Sequence, residues 1–142
     1  YQYITDPHTF TAQTTYIHEK QSWDASFPSG GIGAGPTPTL ASTNLDTLKA
    51  KATYYYQRKY GATLAYISTT GTADAGLYGA QTASPDSTAY VAELDYLPLQ
   101  NVKVMLQYTV YTKFNGAGTN YDGNGRNARD NNTLFLNLWF AF

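Results

Sequence analysis

A chain of 142 residues amounts to one domain, and only 13% of these residues are charged, about half the share usual in soluble domains. The net charge of −1 leaves no electrostatic case for nucleic acid or for a polybasic membrane-surface segment. The absence of cysteine excludes disulfides, thiolate catalysis, Cys-based zinc sites and C-x-x-C-H haem attachment within this chain.

Apolar residues recur at every second position, the period of a strand, and helix signals are poor throughout. The pattern predicts six strands plus the end of a preceding one, all in a single β unit over 1–142. Tyr1 to Ile4 reads as the tail of an earlier strand, turned by Asp6-Pro7, because proline presets a turn dihedral and cannot donate to a ladder. A strand over 9–23 carries Phe10, Ala12 and Tyr16 as its apolar positions, and a long Gly/Pro/Ser/Thr-rich connection follows around Ala25 to Asn44. In strand 46–60, Leu48, Ala50, Ala52, Tyr54 and Tyr56 form an apolar face opposite Lys49, Lys51, Thr53, Tyr55, Gln57 and Lys59. A tight turn is expected at Tyr60-Gly61, then strand 62–72 with Leu64 and Tyr66, then a long connection from Ala73 to Asp86. Strand 87–97 sets Tyr90, Ala92, Leu94 and Tyr96 against Val91, Glu93 and Asp95. After a short turn at Pro98-Leu99-Gln100, strand 101–114 sets Val102, Val104, Leu106, Tyr108 and Val110 against Lys103, Met105, Gln107, Thr109, Tyr111 and Lys113. A long Gly/Asn-rich loop from Asn115 to Asn131 leads to the last strand, 132–142, with Leu134, Leu136, Leu138, Phe140 and Phe142 on one face.

Long and short connections alternate, so in an up-and-down antiparallel sheet all long loops fall at one end. Transmembrane barrels have this asymmetry, and a soluble Greek-key sandwich has no reason to produce it. The expected fold is therefore all-β, a segment of an antiparallel up-and-down transmembrane β-barrel. No run reaches the roughly 18 apolar residues of a spanning helix, but in a barrel only alternate residues need meet lipid. The expected lumen-lining residues are Lys49, Lys51, Lys59, Glu93, Asp95, Lys103, Gln107 and Lys113; the expected membrane girdle is Tyr54, Tyr56, Tyr60, Tyr96, Tyr108 and Phe140. Six strands are too few for a barrel whose interior side chains must fit, so the wall is completed by the remainder of a larger barrel or by further copies of the chain.

The terminal run Leu134-Phe135-Leu136-Asn137-Leu138-Trp139-Phe140-Ala141-Phe142 resembles the signal read by the bacterial barrel-assembly machinery, with Phe142 as its terminal aromatic. Tyr55 through Tyr66, Tyr96 through Val102, and Lys113-Phe114-Asn115-Gly116 through Tyr121-Asp122-Gly123 are similar to C-terminal segments of porin-like Gram-negative outer-membrane proteins, some of them labelled cytochrome-associated. The resemblance implies an outer-membrane location with lipid and the assembly machinery as partners, and extends to a companion c-type cytochrome. Nothing in the chain itself supplies a haem site, and no cofactor or metal is expected.

Other motifs carry less. Asp122-Gly123-Asn124-Gly125 resembles part of a calcium loop but lacks the closing glutamate, so a turn is expected there. His8 and His18 are too far apart on one strand to share a metal, and Asp24, Asp46 and Asp74 show no acid–base spacing. No catalytic residues are assigned, and no enzyme is expected. The functions consistent with this reading are a passive pore for small solutes or ions, a structural barrel sheath for an outer-membrane electron-transfer cytochrome, or a soluble or fibre-forming β assembly subunit.

Overall fold

The computed structural model describes residues 1–22, 38–79 and 81–141. Seven strands form one sheet in chain order: β1 Gln2–Thr5, β2 His8–Ser22, β3 Ser42–Tyr56, β4 Tyr60–Gly71, β5 Ser87–Leu99, β6 Val102–Lys113 and β7 Thr133–Phe140. Every neighbouring pair is antiparallel. This is the expected all-β, up-and-down architecture, with β1 as the short preceding strand. The connections are 6–7, 57–59 and 100–101 at one end of the sheet and 23–41, 72–86 and 114–132 at the other. The only helices among the described residues, α1 Ala75–Tyr78 and a 3-10 turn Ala128–Asn131, lie in the long connections.

Two turns differ from expectation, each for a local reason. The β3–β4 turn is at Gln57-Arg58, not Tyr60-Gly61. Both residues have positive φ (53° and 55°), and Lys59 N–H donates to the Tyr56 carbonyl at 3.0 Å. These are the φ signs of a type I′ hairpin, normally announced by Asn-Gly, and here neither residue gives that signal. The β5–β6 turn is at Gln100-Asn101, and Pro98 sits inside β5. The register slips there between Tyr96 and Leu99, so a bulge absorbs the missing proline donor.

The distribution of burial is inverted relative to a sheet in water. The buried strand residues Thr43, Gly61, Thr63, Ala89, Asp95 and Thr109 all lie on the polar, odd-numbered face. On this face neighbouring side chains, such as Tyr55 and Asp95 around Gly61, and Phe114 from the loop end shield the small residues. The even-numbered face carries the large apolar side chains in the open: Leu64 is 69% exposed, Leu94 62% and Leu136 63%. No second sheet or long helix among the described residues covers it. Placing this much apolar area in water is unfavourable at roughly 25 cal/mol per Å², and the described residues supply no apolar surrounding for this face.

Candidate functional site

The register sets the polar side chains in rows across the sheet. From the turn end upward, the rows are Thr9–Tyr55–Gly61–Asp95–Met105, then Thr11–Thr53–Thr63–Glu93–Gln107, then Gln13–Lys51–Ala65–Val91–Thr109, then Thr15–Lys49–Ile67–Ala89–Tyr111. Threonines join neighbouring strands through their hydroxyls, Thr53 to Thr63 at 2.8 Å and Thr47 to Thr69 at 3.0 Å. Together the polar-face residues of β2 to β6 line a trough of about 700 Å³, which holds Gln13, Lys49, Lys51, Glu93, Lys103 and Gln107.

At the turn end of the trough the wall is braced by a cluster around the buried Asp95. The Tyr55 hydroxyl donates to Asp95 Oδ2 at 2.5 Å, reaching over β4 from β3 to β5. Gly61 makes this possible, because a Cβ there would meet Tyr55 Cε1 at 2.5 Å and Asp95 Cβ at 2.9 Å. Lys103 Nζ lies 2.8 Å from Asp95 Oδ1 and 3.8 Å from Glu93 Oε1. The shorter contact is not aligned as a hydrogen bond, so it acts as an ion pair and Oδ1 has no aimed donor.

The expected lumen residues divide. Lys49, Lys51, Glu93, Lys103 and Gln107 line the trough, and Asp95 is packed beneath it. Lys59 belongs instead to the β3–β4 turn, its Nζ 5.9 and 5.8 Å from the ring centres of Tyr60 and Tyr96 on the apolar face. Lys113 follows a register shift between Thr88 and Ala89. It pairs with Asp86 at 3.0 Å at the loop end, outside the trough. The bulge broke the simple alternation on which its assignment rested.

On the apolar face the aromatics fall in two rows. At the turn end Tyr54, Tyr56, Tyr60 and Tyr96 stand on β3 to β5, with Tyr60 and Tyr96 stacked at 5.4 Å and Phe140 closing the row on β7. Nearer the loops stand Tyr16, Tyr66, Tyr90 and Tyr108. Tyr108, expected in a strand-end girdle, sits within β6, with its hydroxyl 3.4 Å from Asn132 Nδ2. In register, Tyr56, Tyr60 and Tyr96 lie directly opposite one another, whereas the row nearer the loops steps toward the turn end from Tyr16 through Tyr66 and Tyr90 to Tyr108. Phe142 lies outside the described residues.

Connections 72–86 and 114–132 are held together by specific contacts. Phe114 turns over the polar face, where it lines a hollow of about 320 Å³ with Ile67, Ala89 and Tyr111. Its ring packs on Tyr111 at 5.3 Å and on the buried Tyr121 at 5.0 Å. Gly116 N–H donates to the Asp86 carbonyl at 2.7 Å, and the Thr82 hydroxyl donates to the Asn115 carbonyl, so connections 72–86 and 114–132 are clasped. Asp122 accepts from the amides of Asn124 and Arg126 at 2.9 and 3.1 Å, the turn expected for that motif. The two histidines are engaged separately, His8 with the Tyr54 hydroxyl and His18 with Asp46, each at 2.7 Å.

Asp74 fastens the base of this end. It caps α1 by accepting from Gly76 and Leu77, and it accepts from the Thr39 and Leu40 amides at 2.8 and 2.9 Å, tying connection 23–41 to connection 72–86. Burial pushes its carboxyl up, but the amides of Leu40, Thr39 and Gly76 outweigh burial and hold it below the ordinary carboxylate value. A depressed folded-state pKa means stabilisation that is full above the unfolded value near 3.9 and is lost as pH falls through the folded one. The Thr39, Leu40, Gly76 and Leu77 amides should thus lose hydrogen-exchange protection, corrected for intrinsic rate, at acid pH, and Asp74→Asn should loosen them at pH 7. Unchanged protection in both cases would remove Asp74 as the fastener.

The sequence assigned none of these roles to Tyr55, Gly61, Asp74 or the Phe114–Tyr121 pair. The Tyr55–Gly61 pairing becomes visible only once the hairpin turn is placed, and Asp74 is recognised only by amides far away in the chain. Comparison with protein-family models, curated proteins and solved structures found no match, so no relative lends this chain a function.

Proposed function

We propose that this sheet is part of the wall of a bacterial outer-membrane β-barrel that acts as a passive pore for small solutes or ions. One observation carries the reading: the buried strand residues lie on the polar face, and the apolar face stands open along every strand from β3 to β7. In water the opposite arrangement is favoured, with the apolar face packed on a core. In a bilayer an apolar outside and a polar lumen satisfy both solvents. The turn-end aromatics Tyr56, Tyr60 and Tyr96, directly opposite one another across β3 to β5, support the same orientation, their amphipathic rings suited to headgroup level.

Strand direction bears on how such a wall closes. β1 and β7 both run from the loop end to the turn end, so joining them directly would make a parallel seam. Copies related by rotation about the membrane normal would meet through the same parallel seam. An all-antiparallel closure needs an odd number of further strands, which favours the remainder of a larger barrel over further copies of this chain. The β7 edge, flanked by Leu134, Phe135, Leu136, Leu138 and Trp139 in the open, is where such a strand would add. In lipid each unsatisfied edge group costs several kcal/mol.

Planar-bilayer recording of the full-length protein tests the pore. Stepwise conductance is expected. Its absence from folded, inserted protein, together with haem absorbance in the purified complex, would favour a sheath around a c-type cytochrome. Water-soluble behaviour without detergent would remove both membrane readings and leave a soluble or fibre-forming β subunit.

A further inference from the structure

The charges of the trough are not evenly compensated, and this has a consequence if the sheet is a pore wall, the reading on which this inference rests. Its two carboxylates are both at the turn end. Asp95 is buried and held by Lys103 and Tyr55, and Glu93 lies 3.8 Å from the same lysine. Two carboxylates therefore share one ammonium in a small, largely enclosed cluster.

Lys49 and Lys51 make no ion pair with it, although Lys51 lies near enough for its charge to act on Glu93. Both line the trough, both are exposed, and neither has a carboxylate within salt-bridge distance among the described residues. Their cross-strand neighbours are neutral: Thr15 and Ile67 flank Lys49, and Gln13 and Ala65 flank Lys51. Being two apart on one strand, they point to the same side with their Cβ atoms about 6.5 Å from each other. Each ammonium is a mobile point charge with three donors, able to attract an anion without enclosing it, and the Thr15 and Gln13 side chains add hydrogen-bonding groups beside them.

We propose that Lys49 and Lys51 form an anion-recruiting strip on the pore wall and give the pore its preference for small anions over cations. The strip lies in the third and fourth rows, above the braced cluster at the turn end and level with the hollow beneath Phe114, so a solute travelling along this wall passes it. A charged lining of this kind tunes selectivity through its long-range field. The preference should therefore weaken as salt rises and the screening length falls from ~10 Å at 0.1 M toward ~3 Å at 1 M.

The test is the reversal potential of single channels of the full-length protein in a planar bilayer under a KCl gradient. Wild type should favour chloride. Lys49→Gln/Lys51→Gln should lower the chloride-to-potassium permeability ratio by about threefold or more at 0.1 M salt. Lys49→Arg/Lys51→Arg should keep the wild-type ratio, as should Lys59→Gln, which lies outside the trough. Because each record comes from one inserted channel, poor folding of a variant reduces the number of events and leaves the potential of each intact. A conducting wild type that prefers potassium, or a ratio unmoved by the double glutamine variant, overturns the strip and leaves the pore standing. No conductance from folded, inserted wild type overturns both.

Discussion

Leu64→Arg is expected to destabilise the membrane-inserted protein by about 2–4 kcal/mol, the cost of an arginine on the lipid face of a barrel near the bilayer midplane. Leu64 is the informative position because it is 69% exposed and lies midway along β4, between Tyr60 at the turn end and Tyr66 nearer the loops. In a water-soluble sheet the same change would be nearly silent, within about 0.5 kcal/mol, since an exposed surface residue with no special contacts is being replaced by a charged one. The two surroundings thus predict effects several-fold apart from one substitution. Gln107→Arg serves as the control: Gln107 lines the trough, directly across from Glu93 on β5, so a positive charge there meets water and a carboxylate. Denaturant unfolding from phospholipid vesicles should separate the two variants clearly, with Gln107→Arg close to wild type. Equal, small losses for both would mean that the apolar face is not in lipid.

The face assignment behind that prediction was legible in the sequence because it needs only period two. Leu64, Leu94 and Leu136 fall on the even side by counting, and nothing in β4, β5 or β7 near them interrupts the count. Lys59 and Lys113 lie outside the trough because counting loses its meaning where the backbone departs from the regular pleat. Lys59 was assigned to the lumen by extending β3 through a turn whose residues, Gln57 and Arg58, lack the usual turn chemistry. Lys113 was assigned by counting across a register shift. Gly61 looked like a turn residue, yet its lack of a side chain serves a contact between β3 and β5. The clasp at the loop end was hidden for another reason. Asp74 meets Thr39 and Leu40, and Gly116 meets Asp86, through backbone groups that every residue carries, so no residue type marks the partner. The even side chains of a strand share a face by local geometry alone, whereas these contacts exist only after the strands have set the loops side by side.

Lys103→Met should cost about 2–3 kcal/mol, somewhat below the roughly 3–5 kcal/mol for removing one partner of a fully buried ion pair. Two facts set the scale. The Asp95 carboxylate is almost wholly enclosed, its side chain 1% exposed, so without Lys103 its charge keeps only the Tyr55 hydroxyl as partner. Lys103 itself is 29% exposed, so water can enter the space it leaves and recover part of the loss. Methionine nearly keeps the length and apolar stem of the lysine, which limits the packing change at Trp139, its partner on β7. Adding Asp95→Asn removes the stranded charge and should restore most of the stability, giving a coupling energy of at least about 1 kcal/mol in the double-mutant cycle. A surface pair would give a loss of only about 0–1 kcal/mol and almost no coupling. Lys49→Met, in the same trough but without a carboxylate partner among the described residues, should leave unfolding nearly unchanged. The two lysines would then separate by consequence: removing Lys103 weakens the wall, and removing Lys49 alters only what the wall attracts. Loss of stability on removing Lys49 that matched Lys103→Met would contradict this division, because it would require a buried partner that the register does not place beside Lys49.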